Sequence, residues 1–186
     1  MHPHPVQLEV QLPSRTARIH VLTRLALLVA VGTLGVSGLY GTAYFALPAL
    51  VALVVAQKGS GSYRTECAPK AVPVLRWFAA AYGFMWMLTD VLPTSQGHPV
   101  DLRIDVSGQP TVGTALLRLI TSLPALLVLA LLSAVAGLLW IVGAVVVVFR
   151  ERMPAAIFRF LAATLRYQFR LVAYHLSLVD RYPSLA

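Results

Sequence analysis

Arginine and aspartate recur at one fixed spacing in two parts of the sequence. Arg76 precedes Asp90, and Arg166 precedes Asp180, by the same 14 residues. A carboxylate can act as a general acid or base, and near a membrane an arginine and an aspartate are costly alone but favourable as a pair. Because 14 helical residues rise about 21 Å, neither arginine can reach the aspartate of its own helix. Each side chain must therefore pair with another element of the fold.

Three kinds of partner remain open for these side chains. They can pair with the opposite half of the chain, with an arginine near the start of an apolar segment (Arg24 or Arg118), or with another protomer. A charge left alone in a partly buried site is strongly destabilising, so we expect the pairing to be structural and to hold the halves together.

Other residues that could carry chemistry form no catalytic set. Asp101 and Asp105 flank Arg103 with the alternation of a strand, which allows a two-carboxylate site but is more typical of a solvated strand face. Isolated histidines and a single cysteine are more often packing or loop residues than ligands. These residues are His2, His4, His20, His175 and Cys67. We therefore predict no enzyme activity, no cofactor and no metal site.

The composition is that of a membrane protein. Apolar residues make up 58% of the chain and charged residues 12%, against about half and a quarter in soluble domains. Ile19 to Gln57 contains one arginine and no acid, and Leu119 to Phe149 contains no charge. Each stretch exceeds the roughly 20 residues of one spanning helix, which predicts a hairpin of two spans in each. The net charge of +8 flanks these stretches and suits anionic lipid rather than nucleic acid.

The sequence also repeats itself. His4–Val10 is similar to His98–Ile104, and Leu22–Leu25 to Leu116–Leu119 at the same offset. After an offset change of four residues, Leu75–Trp77 matches Leu165–Tyr167, and Leu88–Asp90 matches Leu178–Asp180. Their shared order predicts two tandem copies of one unit.

Each predicted unit contains the same elements in the same order. A stretch with a period of two predicts a half-buried strand, an apolar hairpin follows, and an arginine-rich amphipathic helix ends the unit. The fold class is thus mainly α and integral to the membrane, with a small two-stranded antiparallel sheet on the cytoplasmic side. The predicted boundaries are 1–94 for the first unit (strand 5–12, hairpin 16–57, helix 71–92) and 95–186 for the second (strand 99–106, hairpin 111–149, helix 154–180).

The turns of the two hairpins are marked unequally. Three glycines and a serine between Gly35 and Gly41 predict the turn of the first hairpin. In the second hairpin only Ser133 and Gly137 are candidates, and neither is favoured.

Arginines on the last helix lie on one face. At 100° per residue, four of them fall within about 40° of one another. They are Arg152, Arg159, Arg166 and Arg170. This stripe can face lipid headgroups, or its arginines can extend around a packed helix without a ligand.

The distribution of lysine and arginine predicts four spans with both termini in the cytoplasm. An inverted repeat, in which Val72 to Leu92 also spans, is the alternative.

The closing motif resembles that of a known family. The closing motif consists of Arg166-Tyr167, Tyr174 and Leu178-Val179-Asp180-Arg181-Tyr182-Pro183. The first copy opens with Pro5-Val6-Gln7-Leu8-Glu9-Val10 and Arg24. The second copy opens with Pro99-Val100-Asp101-Leu102-Arg103-Ile104 and Arg118. They resemble a bacterial membrane family known as domain of unknown function 4389, over nearly the whole chain as two copies. Ser184-Leu185 and Val91-Leu92 depart from its pattern. The resemblance implies the bacterial inner membrane and no established activity.

Three functions are compatible with these features. The favoured one is a non-catalytic membrane scaffold or accessory subunit that presents a basic cytoplasmic surface to anionic lipid or a partner protein. The alternatives are a small oligomeric transporter or channel with its path near the repeat axis, and a membrane enzyme acting on lipid. A transporter requires ionisable residues within the spans, where the sequence offers only Arg24 and Arg118 near their ends.

Overall fold

Helices dominate the structure, and two short strands complete it. The computed structural model describes residues 4–33, 36–93 and 100–185, and between 30 and 43 it describes the backbone only. In chain order the elements are β1 (Val6–Val10), α1 (Arg18–Thr33), α2 (Val36–Ser62), a π-helical segment (Tyr63–Cys67), α3 (Ala68–Met85), β2 (Val100–Ile104), α4 (Val112–Thr121), α5 (Leu123–Arg150) and α6 (Ala155–His175). The mainly α class predicted from sequence is confirmed.

The two strands form the predicted antiparallel sheet. Leu8 lies opposite Leu102 in the register, and Val10 lies opposite Val100. One face of the sheet is buried and its other face, which includes Glu9, is exposed. The period-two pattern therefore identified both the strands and the face that turns inward, because successive side chains of a strand point to opposite sides.

Helices α3 and α6 pack beneath the buried face. The core combines Val6, Leu8 and Leu102 of the sheet with Ala79 of α3 and Leu165 of α6. Gly83 allows α3 to approach β2 closely, since a Cβ at this position would lie 2.7 Å from Val100 Cγ2. The sheet and the two amphipathic helices thus form one hydrophobic layer.

Helices α3 and α6 end in the same backbone motif. Leu88 N–H bonds Gly83 O and Met87 N–H bonds Phe84 O, which is the Schellman pattern. The same two bonds follow α6, where Ser177 replaces Met87. Met87 (φ 59°) and Ser177 (φ 53°) both take the left-handed conformation that usually favours glycine. The helices predicted over 71–92 and 154–180 are therefore shorter, because the chain turns sharply after Met85 and His175.

The predicted turn of the first hairpin falls only partly within the described residues. Gly35 lies outside them, whereas Val36 to Gly41 is the first part of α2. Most of the glycine-rich segment is thus helical, with α1 ending at Thr33 and α2 beginning at Val36. Helix α2 is also interrupted at Gly59, whose φ of 81° and ψ of 161° are not helical.

The second predicted hairpin, 111–149, has no turn at either of its two candidate positions. Helix α5 runs without interruption through Ser133 and Gly137 for 28 residues. The break lies at Ser122, and α4 before it has only 10 residues, a rise of about 15 Å against a bilayer core of about 30 Å. Pro124 at the start of α5 explains the break, since proline is favoured in the first turn of a helix.

Helix α5 instead forms a hairpin with α6. The Tyr167 hydroxyl donates to Ala125 O at 3.3 Å near the start of α5. Toward its end, a Cβ on Gly143 would lie 3.1 Å from Met153 Sδ, just before α6. The two helices are therefore antiparallel and in contact over most of the length of α5.

Candidate functional site: two arginine–aspartate clamps

A buried arginine holds the end of α3. The Arg24 side chain is 0% exposed. It donates to Phe84 O at 2.7 Å, to Thr89 O at 2.6 Å and to Asp90 Oδ1 at 2.7 Å. We call Arg24, Asp90 and the end of α3 the first clamp. Asp90 also accepts a hydrogen bond from Ala17 N–H at 2.8 Å, which fixes the chain just before α1.

A second arginine holds the end of α6 in the same way. Arg118 donates to Tyr174 O at 2.6 Å, to Val179 O at 2.7 Å and to the Asp180 carboxylate. Gln109 N–H donates to the other oxygen of Asp180 at 3.1 Å, which fixes the chain before α4. We call Arg118, Asp180 and the end of α6 the second clamp.

Both clamps combine three favourable terms at a helix C-terminus. The last carbonyls of a helix lack backbone partners and carry the negative end of its dipole, so a guanidinium donor suits them. In each clamp the guanidinium also lies over an aromatic ring, 4.6 Å from the Phe84 centroid and 4.5 Å from the Tyr174 centroid. The aspartate then supplies the charge that a buried arginine requires.

The two clamps differ in their access to solvent. His20 Nδ1 lies 3.4 Å from Asp90 Oδ1, and the imidazole contacts the Phe84 ring edge-on at 5.8 Å. The Asp90 side chain is 23% exposed. In the second clamp the Asp180 side chain is 53% exposed, and a cavity of about 310 Å³ borders it.

Arg76 and Arg166 lie at the two outer edges of the sheet and not in the clamps. Asp105 N–H bonds Pro5 O, so the carbonyls of Leu8 and Leu102 point outward in this antiparallel register. Arg166 donates to Leu8 O at 3.1 Å, and Arg76 donates to Leu102 O at 3.0 Å. Each arginine satisfies an edge carbonyl that a third strand would otherwise pair.

The arginine stripe of α6 serves two purposes. Arg170 is 6% exposed and donates to Val6 O and Ser184 O, so together with Arg166 it fixes the backbone near β1. Burial, followed by the nearby charge of Arg166, lowers the pKa of Arg170. Arg152 and Arg159 are exposed, and Arg159 bonds only the Ala155 carbonyl of its own helix among the contacts described. The single face predicted from sequence is thus half structural and half open to lipid or solvent.

Sequence reasoning found the residues of the clamps but left their pairing open. The structure pairs Asp90 with Arg24 and Asp180 with Arg118, which is the second of the three alternatives. The bonds to the helix-end carbonyls and the aromatic rings beneath the arginines were missed. A signal was available, because an aromatic residue lies six positions before each aspartate: Phe84 and Tyr174.

Other candidate residues lie apart from the clamps. Asp101 pairs with Arg103 on the exposed face of the sheet. His4 is 5% exposed and its Nδ1 accepts a hydrogen bond from Val6 N–H; burial, and then Arg170, lower its pKa. His2 lies outside the described residues, and Cys67 is half-buried in the π-helical segment. Within the described part of the chain, no three His, Cys, Asp or Glu side chains are grouped as metal ligands.

Comparison with known proteins identifies one domain. Residues 113–185 match the family described as Domain of unknown function (DUF4389). The match contains α5, α6 and the entire Arg118–Asp180 ion pair, and it does not extend to the first clamp. No curated protein and no solved structure matches the chain.

The first clamp should be essential for stability. Asp90→Ala leaves the guanidinium of Arg24 buried without a counter-charge, which typically costs about 3–5 kcal/mol. Asp101→Ala is the matched control, because this carboxylate is 49% exposed and an exposed pair contributes about 0–1 kcal/mol. We expect Asp90→Ala to lower the melting temperature in detergent far more than Asp101→Ala. Adding Arg24→Met to the Asp90→Ala variant should restore part of the lost stability, because the unpaired buried charge is then removed. Equal melting temperatures of the two alanine variants would contradict a stabilising role for the first clamp.

His175 should make stability depend on pH. Burial, with the charge of Arg118, lowers the pKa of this 1%-exposed histidine from 6.5 to about 4. The unfolded chain therefore binds a proton that the folded chain excludes, and the free energy of unfolding falls as the pH drops from about 6.5 toward 4. The slope is at most about 1.4 kcal/mol per pH unit. His175→Gln should flatten this part of the curve in thermal melts, and parallel curves for the two proteins would refute the assignment.

Proposed function

We propose that this chain is a non-catalytic integral membrane protein, a scaffold or accessory subunit that presents a basic surface to anionic lipid. The supporting observation is the exposed surface of its apolar helices. Two segments are long and apolar enough to cross a membrane, Tyr44–Met85 (mean hydropathy 1.3) and Leu123–Arg150 (2.7). Only 22% and 17% of their most apolar windows are buried. The core helix of a soluble protein would be mostly buried. A large exposed apolar surface instead marks a site of contact with a membrane or a partner protein.

The exposed side of α5 is apolar along its length. Its exposed residues recur at helical spacing from the first turn to the last. They include Leu123, Leu127, Leu131, Leu138, Val142, Val145 and Phe149. Since α6 covers the opposite side of this helix, we assign the exposed side to the acyl chains of the bilayer.

We further propose that the two clamps belong to two tandem copies of one unit. The two Schellman turns, the two left-handed residues and the two guanidinium-over-ring contacts occur at the positions that the sequence repeat aligns. The edge contacts add to this support, because α3 reaches across to β2 and α6 reaches across to β1. Leu8 and Leu102, which accept them, are partners in the register, so a pseudo-twofold axis between them would relate the two units.

The proposed basic surface consists of exposed cations that lie outside the clamps and the sheet edges. Several arginines are committed to the clamps and the sheet edges. Six other exposed lysines and arginines cluster near the ends of the apolar helices. They are Lys58 in the last part of α2, Arg64 and Lys70 after it, and Arg150, Arg152 and Arg159 around the turn between α5 and α6. Anionic lipid attracts each such cation by about 1 kcal/mol near the surface.

Both termini are proposed to lie on the cytoplasmic side. The Tyr63 hydroxyl donates to Leu176 O, so the segment after α2 lies beside the end of α6. Arg15 and Arg18 pair with Glu151, so the segment before α1 lies beside the start of α6. Three arginines disfavour a crossing by α6, which keeps its ends on one side.

Helix α5 must then have the same orientation to the membrane plane as α6. Because α5 is antiparallel to α6 and in contact with it, α5 also keeps both ends on the cytoplasmic side. Its apolar side lies in the lipid along the membrane instead of crossing it.

Cysteine accessibility tests this arrangement directly. The chain has one cysteine, so the Cys67→Ser variant is the background for the new cysteines. The same variant without an added cysteine gives the level of nonspecific labelling. Single cysteines introduced at the exposed residues Gln109, Arg152 and Tyr182 should resist a membrane-impermeant maleimide in spheroplasts and react in inverted vesicles. Reaction at position 152 from outside, with 182 protected, would show that α5 and α6 cross together and would refute the proposed side of the termini.

Lipid bound to the purified protein tests the function. Arg150→Gln, Arg152→Gln and Arg159→Gln combined should remove roughly 3 kcal/mol of attraction to anionic lipid. We expect less anionic lipid per protein after extraction from native membrane, measured by mass spectrometry, with an unchanged melting temperature. Arg103→Gln is the control, because Arg103 is exposed but already neutralised by Asp101. Equal anionic lipid in the triple variant and the parent would contradict the proposed surface.

A further inference from the structure

The cavity beside the second clamp is polar where it meets the ion pair. It has a volume of about 310 Å³, and its lining includes Thr114, Thr121, Arg118, Tyr174 and Asp180. The hydroxyls of Thr121 and Tyr174 lie 3.0 Å apart and are hydrogen-bonded to each other. Two hydroxyls and a carboxylate that is 53% exposed thus converge on one small space.

The first clamp shows what this arrangement can hold. Asp90 receives Arg24 and Ala17 N–H, and its third neighbour is the imidazole of His20, four residues before Arg24 in α1. That ring lies against the aromatic face of the clamp, on Phe84. His20 therefore places a nitrogen-bearing ring beside both the carboxylate and the aromatic side chain.

The second clamp has the same framework with a shorter side chain at this position. The residue four before Arg118 is Thr114, which hydrogen-bonds to Thr111 at the start of α4. Asp180 receives Arg118 and Gln109 N–H, as Asp90 receives Arg24 and Ala17 N–H. Thr114 thus takes the position of His20 in the aligned sequence, and its shorter side chain lines the cavity.

We propose that this cavity binds the primary ammonium of a membrane-lipid headgroup, with Asp180 as the acceptor. An ammonium group offers N–H donors and a positive charge, and both suit a half-exposed carboxylate such as Asp180. The hydroxyl oxygens of Thr121 and Tyr174 supply further acceptors. A quaternary ammonium has no N–H to donate, so the site discriminates ethanolamine from choline.

The surroundings favour a lipid as the source of the ammonium, and this step rests on the proposed membrane location. Leu116, Leu117 and Ile120 on α4 are 44%, 55% and 68% exposed, and Leu117 also lines the cavity. A polar cavity bordered by exposed apolar side chains matches the boundary between headgroups and acyl chains. A free amine or a lysine of a partner protein would carry the same chemistry without needing these apolar neighbours.

Lipid-dependent melting of the full-length protein tests the site. The protein is reconstituted in nanodiscs of phosphatidylcholine, with or without phosphatidylethanolamine of the same acyl chains. We expect a higher melting temperature with phosphatidylethanolamine. Thr114→His should abolish this difference, because the new imidazole fills the cavity while Asp180 is retained. Asp180→Asn should abolish it as well, through loss of the charge.

Two controls separate the site from its background. Thr114→Ala removes the same hydroxyl as Thr114→His but leaves the cavity, so it should keep the dependence on phosphatidylethanolamine. Asp101→Asn, at an exposed carboxylate of the sheet, should also keep it. Free ethanolamine added to phosphatidylcholine nanodiscs tests the source, and an equal rise with it would overturn the assignment to a lipid.

The remaining outcomes decide against the proposal. An equal melting temperature in both lipid mixtures, or a difference that survives both Thr114→His and Asp180→Asn, excludes ammonium binding in this cavity. The proposed function fails separately, through the accessibility of the introduced cysteines or the unchanged anionic lipid. If only the headgroup site is excluded, the proposal that the chain is a membrane scaffold is unaffected.

Discussion

Unpaired backbone carbonyls are the constraint on which this fold depends. A two-stranded sheet has two open edges, and a helix ends in carbonyls that lack partners. Here both kinds of acceptor are partly buried, where an unsatisfied group is costly. Arginine side chains satisfy them, from α3 and α6 at the sheet edges and from α1 and α4 at the helix ends. The guanidinium suits this work because it offers five donors in a fixed geometry.

The requirement also explains how so small a sheet can persist. Two strands alone are marginal in water. One face of the sheet packs on the apolar side chains of α3 and α6. Arg76 and Arg166 donate to edge carbonyls that a neighbouring strand would otherwise pair. The clamps in turn hold the ends of those helices, so the position of the sheet depends on Arg24 and Arg118. One residue type thus links the strands, the amphipathic helices and the apolar helices.

Local patterns in the sequence predicted the parts of the fold that have a local cause. The alternation of Val6 and Leu8 with polar neighbours identified the strand and its buried face, because a strand has only two faces. The break at Ser122 was missed because the stretch from Leu119 to Phe149 has no charge or glycine cluster, and the one local signal, Pro124, was not used. Periodicity likewise placed Arg166 on the face of Arg152, but only the position of Leu8, 158 residues away, decides that Arg166 is structural.

The two clamps share one framework but differ in how far their aspartates are exposed to solvent. The first is closed, with His20 against its aspartate and an arginine that has no exposed surface. It can contribute stability but offers little access to a ligand. The second has the same buried arginine, yet its aspartate is half exposed beside a cavity. Both arginines hold a helix end, but only the second aspartate has the exposed surface that a ligand needs. The residue four positions before the arginine differs accordingly: His20 lies beside Asp90 in the first clamp, whereas Thr114 borders the cavity in the second.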